Sequence, residues 1–229
     1  MNHYLIECCA NSIQSAINGI IGGANRIELC ADLEVGGLTP KRNDILQAKK
    51  KLNTPLHVLI RPRAGDFIYT GKEILQMIDD IQFCKKAGGD GVAIGMLKKD
   101  GSINKEQCKQ LVNIAKPMHV TFHRAFDEGN DLQQNLEDVI DCGCDTLLTA
   151  GKSENVNSGI SNLEQLVKFA KGRITILAGS GVNHTNAEAL YKIGIRNFHL
   201  SGSIEDLKGK LETHSLLITK MKDKLDQIV

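Results

Sequence analysis

The chain has 229 residues, with 28 basic and 27 acidic side chains and a formal net charge of +1. It is long enough for one large α/β unit and too evenly charged to gather nucleic acid or an anionic membrane by bulk field. Aromatic residues make up only 4% and tryptophan is absent, which removes the stacking platforms of single-strand binders and most anchors of protein interfaces.

The run Met1 to Cys8 reaches Glu7 before any apolar stretch long enough for a signal peptide, and no later stretch approaches the roughly 18 apolar residues of a membrane span. Seven cysteines, an odd number in a chain too long to depend on disulfide staples, read as thiols of a reducing compartment. A cytoplasmic protein is expected.

From the first residues onward, short aliphatic runs alternate with longer segments of helical period. Strands are expected at Tyr4–Cys9, Arg26–Cys30, Leu56–Arg61, Gly91–Ile94, Met118–Phe122, Asp145–Thr149, Ile174–Ala178 and Asn197–Leu200. Helices are expected at Ser12–Gly22, Lys41–Lys51, Gly71–Ala87, Asn104–Lys116, Asp131–Cys142, Ser161–Lys171, Thr185–Ile193 and from about Ile204 to the chain end. Ser12, Asn104, Asp131 and Ser161 stand where a side-chain oxygen can accept from first-turn amides. Glycines recur where the helices stop.

Eight such units predict a (β/α)8 TIM barrel, one domain over residues 1–229, with its functional pole at the C-terminal ends of the strands. An open doubly wound sheet is the rival. It is set aside because no strand runs into a Gly-x-Gly-x-x-Gly turn, and because polar residues recur at nearly every strand end rather than at one switch point.

Residues two apart on a strand share a face. The first strand then groups Glu7 with Cys9, and the second groups Arg26, Glu28 and Cys30, while Cys8 points the other way. Neighbouring strands lie about 4.8 Å apart, so a suitable register brings Cys9 and Cys30 close enough to share one soft ion. Carboxylates inside a barrel need partners, which makes Glu7 and Glu28 either acid–base groups or halves of internal ion pairs with Arg61 or Arg63. On the third strand the same alternation groups His57, Leu59, Arg61 and Arg63, a pair of guanidiniums fit for a carboxylate or phosphate. The fifth strand ends in His123, a candidate proton carrier that Asp127 could orient unless it caps the following loop instead.

The last two strands run into Gly179-Ser180-Gly181 and Ser201-Gly202-Ser203, small-residue turns whose amides could hold an anion after strands seven and eight. Thr149, at the end of strand six, joins Arg63, Gly179, Gly181, Ser201 and Gly202 as a candidate ligand-binding residue. Glu7, Glu28, Arg61 and His123 are the candidate catalytic set. Cys142-Gly143-Cys144 spans a helix end and falls at the pole away from the mouth.

The strings Glu7-Cys8-Cys9, Gly22-Gly23-Ala24-Asn25-Arg26-Ile27-Glu28-Leu29-Cys30, Gly36-Gly37-Leu38-Thr39-Pro40, Ile60-Arg61-Pro62-Arg63-Ala64-Gly65-Asp66-Phe67 and Thr121-Phe122-His123-Arg124-Ala125-Phe126-Asp127 together resemble the CutC copper homeostasis family. The likeness runs from the first strand to about Gly202. It implies a cytoplasmic (β/α)8 barrel that self-associates as a homo-oligomer, a link to copper tolerance, and copper(I) bound through Cys9 and Cys30. Relatives often carry Ser where Ala150 stands and a third Gly where Ser180 stands.

Three functions follow from these residues. The first is copper(I) binding by the Cys9 and Cys30 thiolates. The second is an enzyme acting on a small anionic metabolite, bearing phosphate or carboxylate, at the barrel mouth. A scaffold whose charges merely neutralise one another is the third.

Overall fold

The computed structural model of the chain describes residues 4–205 and 209–229. Eight parallel strands close into a barrel in sequence order. They are β1 (Leu5–Ala10), β2 (Arg26–Leu29), β3 (Leu56–Leu59), β4 (Gly91–Ile94), β5 (His119–Phe122), β6 (Thr146–Thr149), β7 (Thr175–Ala178) and β8 (Asn197–Leu200). Outside them lie α1 (Ile13–Ile21), α2 (Arg42–Lys51), α3 (Gly71–Lys86), α4 (Lys105–Ala115), α5 (Leu132–Asp141), α6 (Ile160–Ala170) and α7 (Ala187–Lys192). The expected (β/α)8 barrel is therefore the fold found. Among the described residues, no helix is long and apolar enough to cross a membrane.

Local chemistry explains most boundaries. Ser12, Asn104 and Asp131 each accept a hydrogen bond from an amide in the first turn of the following helix. Ser161 does not cap: α6 begins one residue earlier, behind Gly159. Thr70 and Glu73 form a reciprocal capping box at the start of α3.

One expected element is different. In place of a continuous helix from Ile204, the chain forms an antiparallel hairpin, β9 (Ser203–Glu205) with β10 (Leu211–Thr213), followed by α8 (Ser215–Ile228); residues 206–208 lie outside the described residues. Helical period holds for α8 but does not extend back across Gly209, whose φ of 76° is left-handed. Thr213 anchors the hairpin, its hydroxyl donating to the Ser201 carbonyl at 2.9 Å and its amide to the Ser15 hydroxyl at 3.2 Å.

The apolar core lies mainly between barrel and helices, where Ile6, Ile27, Leu29, Val92, Ile94, Phe122 and Phe198 are buried against the helical layer. The barrel interior is unusually polar. Glu7, Arg26, Glu28, His57, Thr121 and His123 are all buried, which demands mutual satisfaction. Gly91 in β4 and Gly95 just beyond it make space for this interior: a Cβ on Gly91 would lie 2.5 Å from the His57 ring, and one on Gly95 would lie 2.5 Å from the His123 ring.

Candidate functional site

The register of β1 against its two neighbours, β2 and β8, sets the site. Glu7 stands level with Arg26 and with His199, and Cys9 stands level with Glu28. Because the strands are parallel, level residues point the same way, so one inward face carries all five. Cys8 points outward as the alternation predicts, packing its sulfur beneath Gly19 and 3.8 Å from the Thr213 hydroxyl.

At the rim, the Cys9 and Cys30 sulfurs lie 3.8 Å apart, and the Cys9 sulfur lies 4.0 Å from Glu28 Oε1. Cys9, Glu28 and His199 can each offer one ligand atom within 4.8 Å of the others. Directly beneath, both oxygens of Glu7 are occupied: Arg26 Nε donates to Oε2 at 2.6 Å, and His199 Nδ1 donates to Oε1 at 2.7 Å. The buried carboxylate thus has its partners, but they are Arg26 and His199. Arg61 and Arg63, the expected partners, do not touch it.

These contacts separate the two glutamates chemically. Burial pushes both toward the neutral form, yet for Glu7 the His199 hydrogen bond and the Arg26 charge prevail and hold it well below the usual carboxylate range. Glu28 lacks such bonds, and burial pushes it up to about 7, with the Glu7 charge adding and His199 opposing. His199 is itself pushed well up: burial opposes its charge, but Glu28, Cys9 and Glu7 outweigh burial. The Cys9 thiol is pushed well above its ordinary range by its hydrogen bond to Cys30 and by burial. The rim therefore holds one acid near neutrality beside an imidazolium and two thiols.

Above the rim opens a cavity of about 390 Å³. Of the expected site residues, Cys9, Glu28, Arg61, His123, Gly181, Ser201 and Gly202 line it. Cys30 sits just behind Cys9, and Glu7 one layer below. His123 accepts the Ala125 amide at Nδ1, 3.1 Å away, and burial drives its pKa down to about 3. It is a neutral imidazole with its hydrogen on Nε2, and that nitrogen has no partner among the described residues.

Several expectations need correction. Arg61 reaches the mouth, but its two terminal nitrogens donate to the carbonyls of Val35, Gly37 and Gly65 at 2.9–3.1 Å, while its buried Nε has no partner among the described residues. Arg63 does not join it. β3 ends at Leu59, so strand alternation no longer governs position 63, and Arg63 turns outward to Glu73 at 2.6 Å and Asp66 at 2.8 Å. Thr149 donates to the Asp127 carboxylate instead of facing the cavity. Gly179 is packed under Leu148 and His199. Asp127 leaves His123 alone and caps the neighbouring loop, accepting from the amides of Ala150 and Lys152 at 3.0 Å.

Two charged cavity residues are absent from the expected site: His199 and Arg124. Period two on β8 carries the signal for His199, which sits two positions before Ser201. Arg124 has no such signal, because the chain leaves β5 into a 3-10 turn at Arg124–Glu128 that swings it toward the mouth.

The profile of the CutC family matches residues 4–204. A family protein CutC of Bacteroides fragilis is 45% identical over 214 residues, covering 93% of this chain and 85% of that protein. The human copper homeostasis protein cutC homolog is 40% identical over 201 residues, covering 87% and 74%. The crystal structure of a CutC protein from Streptococcus agalactiae superposes with a TM-score of 0.82 at 29% identity, covering 86% of this chain and 98% of that one. With the family profile spanning residues 4–204 and relatives at 40–45% identity, the chain belongs to the CutC family.

Proposed function

We propose that this chain serves copper homeostasis by holding Cu(I) at the barrel rim between the thiolates of Cys9 and Cys30, with Glu28 and His199 beside it. One observation carries the reading: the 3.8 Å separation of the two sulfurs. Soft metal–thiolate bonds of roughly 2.3 Å, meeting at tetrahedral to trigonal angles, span sulfurs about 3.8–4.0 Å apart. A linear pair would need more. The donor set fits as well, since thiolates suit Cu(I) and one thiol pair leaves room for exchange.

Both thiols must lose their protons to bind, so uptake releases protons and strengthens as pH rises. Glu7 and Arg26 form the floor that orients His199. Seven free cysteines favour the cytoplasm as the working compartment, and the self-association implied by the family resemblance makes a homo-oligomer the expected state. The test is anaerobic Cu(I) titration against a competing chelator. Cys9→Ser with Cys30→Ser should remove one tight equivalent; undiminished stoichiometry would discard the assignment.

A second reading is favoured by the cavity itself. Its volume of about 390 Å³ is within the range of small-molecule pockets and far larger than an ion needs. Arg61, Arg124 and His199 give it a positive lining, beside the Gly181, Ser201 and Gly202 backbone, as a small carboxylate or phosphate ester would require. In an enzyme of this kind Glu28, near neutrality, and neutral His123 are the groups that could exchange protons with a substrate. Saturable thermal stabilisation by inorganic phosphate or succinate, lost in Arg124→Ala, is the expected result. No stabilisation beyond that of chloride at equal ionic strength would exclude it.

A further inference from the structure

The cysteines outside the rim are not scattered. Cys108 is fully buried on α4, and the turn after α5 brings Cys142 and Cys144 against it. The sulfurs of Cys108 and Cys144 are 4.0 Å apart. Cys142, on the same turn, donates to the Lys105 carbonyl at 3.8 Å. Gly143, between the two turn cysteines, has a left-handed φ of 83° that bends the chain there.

The surroundings suit a soft cation. The Cys108 and Cys144 sulfurs have each other as hydrogen-bond partner, so the donor set of this pair is sulfur alone, the set that selects Cu(I) over harder ions. The 4.0 Å pair nearly repeats the 3.8 Å spacing at the rim. Two thiolates around one Cu(I) carry net negative charge. The Cys142 sulfur favours the Cys108 thiolate, but Cys144 and burial outweigh it and hold Cys108 well above the ordinary thiol range. Cys108 and burial raise Cys142 likewise, and Lys109, with Lys105 for Cys142, opposes this only in part. Lys105 is held in place by Asp138 at 2.8 Å and Asp141 at 3.0 Å, which tempers its contribution. A second cavity of about 230 Å³, lined by Val112 and Gly143, lies beside the turn, although none of the three sulfurs lines it.

We propose that Cys108 and Cys144 bind a second Cu(I) ion as a two-thiolate pair in the helical layer, at a site separate from the barrel rim. Each Cu–S bond replaces an S–H bond and the proton passes to solvent; no electron is transferred. The site does not depend on the rim assignment.

The experiment is anaerobic Cu(I) titration of the reduced chain against a chelator in the wild type and four variants. Cys9→Ser/Cys30→Ser should retain one tight equivalent. Adding Cys108→Ala and Cys144→Ala should abolish it, whereas adding Cys84→Ala, which removes another buried thiol, should not. No retained equivalent in the rim variant, or retention despite loss of Cys108 and Cys144, overturns the proposal. If the rim reading alone fails, the rim variant keeps the wild-type stoichiometry while Cys108→Ala/Cys144→Ala in the wild-type chain still loses one ion. X-ray absorption on the copper-loaded rim variant guards against misfolding of the cluster variants. It should report only sulfur neighbours, and nitrogen or oxygen neighbours would also overturn the proposal.

Discussion

Two thiol pairs with almost the same spacing sit in very different settings. Cys9 and Cys30, 3.8 Å apart, are held by the sheet: they lie on or just beyond adjacent parallel strands, and the Cys30 amide continues the ladder by donating to the Ala10 carbonyl at 2.9 Å. Cys108 and Cys144, 4.0 Å apart, are held by packing of a helix against the turn after its neighbour. The first pair has a carboxyl, an imidazolium and a wide cavity beside it; the second has lysines, a carbonyl and apolar side chains. Sulfur spacing alone therefore does not define a site. The charges around it determine whether protons and further ligands can take part.

The largest effect that would test this contrast lies beneath the rim. Arg26→Met leaves the Glu7 carboxylate buried with only His199 to answer it, and should lower stability by roughly 3–5 kcal/mol in urea denaturation. A loss below about 1 kcal/mol would mean that the rim needs no ionic floor, and the distinction between the pairs would weaken.

The second test is pH. Glu28 has an ordinary value of 4.5 and stands at about 7 when folded. The folded chain therefore keeps a proton that the unfolded chain loses, and stability falls as pH rises from about 4.5 to 7. The difference between wild type and Glu28→Gln should grow across that window, to a limit on the order of 3 kcal/mol. His57 and His123 act with the opposite sign. Burial holds them at about 4 and about 3, against 6.5 unfolded, so their share of stability is lost as pH falls below 6.5. Cys108→Ala should leave the profile below pH 8 unchanged.

A smaller effect is expected at Gly95. Its replacement by Ala drives a methyl into the His123 ring and should lower stability by about 1–3 kcal/mol, with weakened anion binding if the second reading holds. Smallest is Cys144→Ala, which removes one buried sulfur and should lower the apparent stability of the metal-free chain by about 1 kcal/mol. With Cu(I) present the loss should grow, because the wild type gains binding energy that the variant lacks. Equal losses with and without copper would leave the outer cluster as packing alone.

Much of the barrel is legible in the residue order. Strand and helix periods, Ser12, Asn104 and Asp131 as caps, and the repeated Glu-x-Cys spacing all depend on neighbours a few residues away, and β1 and β2 fall close to where they are expected. Alternation also places Glu7, Cys9 and Glu28 on one face, since a strand flips its side chains with period two regardless of what lies around it. Where the strand stops, that rule stops. Arg63 follows β3 on paper but leaves it in space, and Arg124 reaches the mouth only because a 3-10 turn redirects it. The hairpin of β9 and β10 is hidden for a similar reason: it is fixed by Thr213 bonding to Ser15 and Ser201, contacts far apart in sequence.

The sequence by itself determined the fold class, the family and the inward-facing pair of Glu-x-Cys strands, because these follow from local periodicity and from motifs read in order. Tertiary structure alone decided who answers whom: Arg26 and His199 for Glu7, backbone carbonyls for Arg61, and Cys108 for Cys144. Such partnerships depend on distances of a few ångströms between segments tens to hundreds of residues apart, and only closure of the barrel and packing of its helices set those distances.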